Sequence, residues 1–442
     1  MKPKTKSTGI QLSLTKVPLH SLISMEHHLV KLASNINWKS LEEHFGAFYK
    51  EKGRPAINTR LMISLHYLKY LNDLSDKEVL MLWIENPYWQ YFSGMEFFEH
   101  KFPIDSSSMT RWRKRIAKEG AEELLKETIH AGLKLKVIKI SEIKDVNVDT
   151  TVQEKDIRFP TDARLYHRSI VNLVAQAKKE EVVLRQTYTR ISKRLLRQQQ
   201  KFSNARRPSE AKNCTKKLKT ILGRIIRDIK RKIESPSKYL SNLLEITEQI
   251  RTQEKCSKNK IYSVHEPSVN CIAKGKVHKK YEFCSKVSIA STNKSNFILG
   301  ALSFDGNPHD GKTLKSALEQ IADFGLNVEN VFVDKGYRGH GIKKQTVHIC
   351  SYSKKKQGNT IWTKVKRRAA IEPVIGHLKS EHKLGRNRLA GDIGDTVNVL
   401  LSCVAFNLKK LLNRLKSHLV FILGLIKFML CQPYQELAQH KN

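Results

Sequence analysis

Apolar residues recur at intervals of three and four through the first third of the chain, in TRLMISLHYLKYL (59–71) and again in KEVLMLWIENPYWQYF (77–92). That period belongs to amphipathic helices and predicts an all-helical N-terminal domain over 1–135. Trp83, Tyr88, Trp89, Tyr91 and Phe92 fall inside the apolar pattern and read as core in preference to a base-stacking surface. PIDSSSMTRWRKRI (103–116) follows, where Ser106, Ser107 or Ser108 would cap a short helix carrying Arg111, Arg113, Lys114 and Arg115. Spacing alone supports a DNA-contacting helix and a solvated basic face equally.

From residue 141 the period changes to two. DVNVDTTV (145–152) sets Val146, Val148, Thr150 and Val152 on one strand face and Asp145, Asn147, Asp149 and Thr151 on the other, and further strands are predicted in YEFCSKVSIAST, FILGALSF and NVENVFVD. A second domain over 141–415 would therefore hold a sheet, interrupted at about 163–259 by a polar helical stretch. Residues 178–232 of that stretch carry 19 Lys or Arg against 4 Asp or Glu. Leu195, Leu196, Leu218, Ile221, Leu222, Ile225, Ile226 and Ile229 form a packing stripe, which favours a helical hairpin with a phosphate-following outer face over a disordered linker. LVFILGLIKFML (419–430), within a terminal segment 416–442, is about half the ~20 residues of a membrane span and contains Lys427, so it reads as a buried helix.

Charge narrows the partner. Lys and Arg number 80 against 42 Asp and Glu, a formal net charge of +38 spread along the whole chain. This points to nucleic acid and not to a membrane surface. The seven cysteines include no Cys-x-x-Cys pair, and the N-terminus has no apolar run of signal-peptide length, both of which suit a reducing cytoplasm.

Asp149 lies on the first strand of the second domain, Asp334 ends the apolar run VFV, and Glu372 sits in the predicted helix KRRAAIEPVIGHLKSEHKL. Singly, a wet strand face, a turn residue and an exposed helical Glu account for them as well as any function does. Together they form the kind of set that holds two hard divalent ions for phosphodiester chemistry. Arg368 stands four residues before Glu372 and Lys379 seven after it, so a continuous helix would present all three on one face, a carboxylate between two phosphate-binding cations. Asp310, after His309, is an alternative ligand, but it reads better as the cap of the helix that begins there.

The runs VNVDTTVQEKDIRFPTDARLY, VHEPSVNCIAKGKVHKKYEFCSKVSIA, GNPHDGKTL, VFVDKGYRG and RRAAIEPVIGHLK resemble the catalytic half of bacterial insertion-sequence-five-type DDE transposases. GRPAINTRLMISLHYLKYL and SSSMTRWRKRI are similar to the domain that precedes it in those proteins, and the resemblance covers roughly 40–410. It implies an α/β ribonuclease H-like domain with a mixed five-stranded sheet, and Asp149, Asp334 and Glu372 as ligands of Mg²⁺ or Mn²⁺, with two ions expected. It also implies terminal inverted repeats and target DNA as double-stranded partners, cleavage at element ends with transfer of the 3′-hydroxyl, and a homodimer or larger assembly on DNA in the bacterial nucleoid. The family's pattern around the third acid is matched by Arg368, Glu372 and Lys379, but Val365 stands where it has Tyr. A catalytically inactive or domesticated DNA-binding descendant is the rival reading.

Overall fold

The computed structural model describes residues 17–50, 52, 55–102, 104–254, 256–273, 281–350 and 359–430, with side chains described as far as residue 416. The tail 431–442, included in the predicted terminal segment, lies outside them. The chain forms two compact units, Met1–Gln153 with Lys286–Asn442, and Glu154–Ser285.

In the first unit, Asn58 caps helix Thr59–Leu71 by accepting from the Leu61 N–H, and every residue from Leu61 to Tyr70 is buried. A helix buried on all sides must satisfy its polar members internally. Ser64 accordingly donates to the Phe92 carbonyl, the His66 ring pairs through Nδ1 with the Met62 carbonyl, and Lys69 donates to Asp76 at 2.8 Å. Asp76 also takes both arms of Arg113, at 2.8 and 2.6 Å. Burial pushes His66 down to about 3, with the Arg113 charge adding to the effect, so the imidazole, packed at a tilt against Trp112, is neutral. Burial alone would raise Asp76, but the bonds from Arg113 and the charges of Lys69 and Arg113 outweigh it and hold the carboxyl well below its usual range.

This network corrects one expectation. Arg113 is only 5% exposed and is committed to Asp76, so it is not part of a DNA-contacting face. The cap of its helix, Ser106–Lys134, is Asp105 and none of the three serines: the Asp105 side chain accepts from the Ser107 N–H at 2.8 Å. The helix breaks at Ala117, which has φ 47°. Arg111, Lys114 and Arg115 remain exposed.

Among the described residues the sheet has seven strands: β1 (Asp145–Lys155), β2 (Asn270–Ala273), β3 (Tyr281–Thr292), β4 (Ile298–Phe304), β5 (Asn330–Val333), β6 (Thr346–Ile349) and β7 (Arg386–Asn387). β3, β1, β5 and β6 are consecutive neighbours, β4 pairs with β3, and β7 pairs with β1. β3–β4 is antiparallel whereas β1–β5 and β5–β6 are parallel, so the sheet is mixed. The two strands beyond the expected five are short: β7, and β2, which pairs antiparallel with the start of β3 inside the second unit. The free side of β4 is closed by two amide side chains. Asn407 exchanges hydrogen bonds with the N–H and C=O of Ile298, and Gln320 does the same at Ala301, which satisfies backbone groups that an open edge would leave unpaired.

The boundary expected near residue 135 does not separate two cores. Leu65, Leu68, Leu125 and Ile129 of the N-terminal helices join Val146, Val287, Leu299 and Val331 of the sheet and Leu401, Val404 and Leu408 of the last helix in one apolar cluster. That last helix runs from Gly391 to Leu430, so the apolar segment at 419–430 is its continuation and not a separate element. No helix among the described residues is long and apolar enough to cross a membrane.

In the second unit, helices Asp162–Lys179, Thr189–Asn204, Pro208–Lys232 and Lys238–Thr252 close around a core of their own that includes Ile170, Leu173, Leu218, Leu222, Ile229 and Leu244. Arg190, Arg194, Arg197 and Lys201 follow one exposed stripe of the second helix, and Lys212, Lys216, Arg224 and Arg227 an exposed face of the third. From Val182 to Ser209 there is no Asp or Glu to offset them.

Asp76→Ala should lower the stability of the chain by about 3–5 kcal/mol, because two buried cations lose their counter-charge. The loss should shrink in acid as the native carboxylate itself takes up a proton; a denaturant midpoint at neutral pH matching the parent chain would contradict this account.

Candidate active site

The parallel register of β1 and β5 pairs Asp145 with Asn330, Val146 with Val331 and Asn147 with Phe332. Continued by two residues, along an Asp334 backbone that is still extended, it sets Asp149 beside Asp334. Neighbouring strands lie about 4.8 Å apart, so two acids in one row are forced close together. The sequence carried a signal for this: Asp145-Val-Asn-Val-Asp149 and Asn330-Val-Phe-Val-Asp334 share their spacing. Each acid is oriented locally. Asp149 Oδ1 accepts from the Thr150 N–H at 2.8 Å, and Asp334 Oδ1 accepts from the Gly336 N–H at 3.0 Å as it caps the short 3-10 turn Lys335–Tyr337.

The third acid comes from helix Ile371–Glu381, which the predicted continuous helix does not reach unbroken. Asn359–Arg367 is α-helical, Arg368–Ala370 is a 3-10 turn, and the α-helix resumes at Ile371. Pro373 explains the break: its missing N–H and its ring are tolerated in a first turn, but they would disrupt a helix running through the Ala369 carbonyl. Arg368 is thereby placed in the turn, with its guanidinium among all three acids. It lies 2.7 Å from Asp149 Oδ2, 3.2 Å from Glu372 Oε1 and 4.0 Å from Asp334 Oδ2. Lys379 is half-buried farther along the same helix, and Val365 is buried.

Residues not singled out from the sequence fasten this turn to β1. Lys364 pairs with Asp145 at 2.6 Å, and Asn293 donates to both Asn147 and the Lys364 carbonyl. Arg367 donates to the Asn293 carbonyl at 2.7 Å. Asn147 is fully buried, so the strand face carrying Asp149 is packed and not wet. The cap expected at Asp310 is instead His309, whose ring accepts from the Gly311 N–H in helix Asp310–Asp323. The Asp310 carboxylate turns to β1 and β3, taking the Thr150 hydroxyl at 2.7 Å and Lys286 at 2.6 Å.

Burial raises Asp149 to about 6; Arg368 and the Thr150 N–H oppose the rise, and the charges of Asp334 and Glu372 add to it. Among the described residues no group of three His, Cys, Asp or Glu converges as a ready metal site. The Arg368 guanidinium stands among the acids instead, and its Nε has no hydrogen-bond partner. Three mutually repelling oxygen donors held together by a single cation are a donor set that fits a hard divalent ion.

The family model described as Transposase domain (DUF772) matches residues 17–115, and that described as Transposase DDE domain matches residues 260–408. An uncharacterized protein, ORF8 in the nfe locus of Rhizobium meliloti, is 48% identical over 206 residues, covering 47% of this chain and 99% of that protein. No solved structure matches the chain. The chain belongs to the DDE transposases. The second match includes Asp334 and Glu372 and does not reach back to Asp149, which joins them through the strand register.

Because the Asp149 proton is held to a higher pH in the folded chain than in the unfolded one, ionisation of this buried group erodes stability as pH rises from about 4 through 6. Arg368→Ala should therefore cost little near pH 4 and progressively more through pH 6 to 8, where the carboxylate has lost its nearest cation. Chemical denaturation at the two ends of that range measures the difference, and equal losses would refute it.

Proposed function

We propose that this transposase cuts DNA at the ends of an insertion sequence and joins the freed 3′-hydroxyl to target DNA, with Asp149, Asp334 and Glu372 as its metal ligands. The observation that carries the reading is the gathering of these acids around Arg368. The order β3-β1-β5-β6 with β4 paired to β3, antiparallel between β3 and β4 and parallel from β1 through β5 to β6, supports a ribonuclease H-like catalytic domain. Bound at the acids, Mg²⁺ or Mn²⁺, two ions in all, would supply the charge that activates the attacking oxygen and stabilises the leaving one. The chain's own part is to hold the carboxylates in register, and to offer Arg368 and Lys379 to the phosphates next to the scissile bond.

Duplex DNA, both terminal repeats and target, is the partner that the charge fits. Arg111, Lys114 and Arg115 would meet it from the N-terminal helices, and the exposed stripes of the second unit would follow its backbone without reading sequence. Bringing two ends together calls for a homodimer or a larger assembly on DNA.

Asp149→Asn should abolish Mg²⁺-dependent nicking and joining of a terminal-repeat oligonucleotide while gel-shift binding of that duplex persists. Undiminished nicking by the variant would remove the acid assignment, and absence of nicking by the parent chain would favour the inactive descendant. Replacing Arg190, Arg194 and Arg197 with Gln should weaken binding to any duplex and lower the salt slope by about 0.9 for each phosphate that is no longer neutralised. An unchanged slope would exclude that stripe from the DNA interface.

A further inference from the structure

We propose that Asp310 is a fourth carboxylate of the acid site and that Lys286 is its resting counter-ion, released when a divalent cation enters. The proposal rests on the reading of Asp149, Asp334 and Glu372 given above and extends it to two residues outside that set.

Asp310 opens helix Asp310–Asp323, but the capping work there is done by His309, so its carboxylate is free of that role. Both hydrogen-bonded neighbours, the Thr150 hydroxyl at 2.7 Å and Lys286 Nζ at 2.6 Å, meet Oδ1. Oδ2 is turned to Gly336. A Cβ built on that glycine would lie 2.9 Å from Asp310 Oδ2 and 3.1 Å from Asp334 Oδ1, so the two carboxylates flank a gap about one carbon atom wide that only glycine leaves open. Thr150, which holds Asp310, is the residue whose N–H holds Asp149.

A second observation points into the same place. Tyr337 is fully buried, and its hydroxyl is set beside the Thr313 side chain. Burial drives this phenol far above its ordinary range, and Asp149, Asp310 and Asp334 each push it further, which sets the hydroxyl within the field of those three acids. Charge agrees: four carboxylates at 149, 310, 334 and 372 against two cations, Arg368 and Lys286, leave two negative charges when all are ionised. A divalent ion neutralises them. Lys286 has somewhere to go, since it already donates to the Pro308 carbonyl at 2.6 Å.

A purely structural ion pair and a ligand with its counter-ion respond to substitution with opposite signs. Mn²⁺ titration of the full chain without DNA, followed by the electron paramagnetic resonance signal of the free ion, reads binding and not activity. Asp310→Asn should weaken Mn²⁺ binding about ten-fold or more. Lys286→Met should tighten it several-fold, because the ion no longer competes with an ammonium group. Parent-like affinity in Asp310→Asn, or weakening by both variants alike, overturns the proposal. If Asp310→Asn fails to fold by circular dichroism, Lys286→Met decides alone: tighter binding supports the proposal, and unchanged or weaker binding ends it. Asp149→Asn in the same titration separates the two readings. If it weakens binding where Asp310→Asn does not, the role of Asp310 falls and the three-acid site stands; if neither has an effect, both fall.

Discussion

The parallel pairing of β1 with β5 is the constraint on which the site depends. Side chains alternate along a strand with a period of two, so a slip of one residue between these strands would turn one acid to the opposite face of the sheet. The register Asn147–Phe332 prevents that, and it is fixed by burial: Val146, Val148, Val331 and Val333 all lie in the core and can be satisfied together in one alignment. Asp145 reinforces it from the strand's start, accepting from Asn330 on β5 and pairing with Lys364 on the segment that leads to Arg368. Two acids side by side follow from the packing of apolar neighbours.

Carboxylates brought together in this way repel, and burial makes the repulsion worse. Arg368 answers it through a local irregularity. The turn before Pro373 interrupts the helix and lets one guanidinium face Asp149, Asp334 and Glu372, where an uninterrupted helix would have offered it mainly to Glu372. Asp149 nevertheless stays high, at about 6, so the desolvation of the strand outweighs the single cation. A site that keeps an acid reluctant to ionise is one whose energy falls when more positive charge arrives.

The remainder of the first unit serves as a rigid frame. The N-terminal helices share the sheet's apolar cluster, and their ion network of Lys69, Asp76 and Arg113 is buried for stability and not offered to DNA. The second unit differs in kind. It closes a separate core with one side of its helices and leaves the other side to exposed Lys and Arg, so its charge can be altered without touching the acids.

The sequence by itself determined the period of each segment, the basic character of the helical stretch between the strands, and which acids were candidates, because periodicity and composition are local properties. The helical N-terminus, the strand at Asp149 and the apolar stripe from Leu218 to Ile229 were legible for that reason. What faces what was decided only in the tertiary structure. Arg113 and Arg111 are two residues apart in one basic run, yet one is buried against Asp76 and the other is exposed, a difference set by helices distant in sequence. The same holds for Asp310, which reads locally as a helix start and is turned to the acids by Thr150 and Lys286, contacts that span 160 residues of chain in one case and 24 in the other. Asp149, Asp334 and Glu372 could be named from local pattern and resemblance, but their convergence on one guanidinium required a strand register and a proline-induced turn that no local pattern encodes.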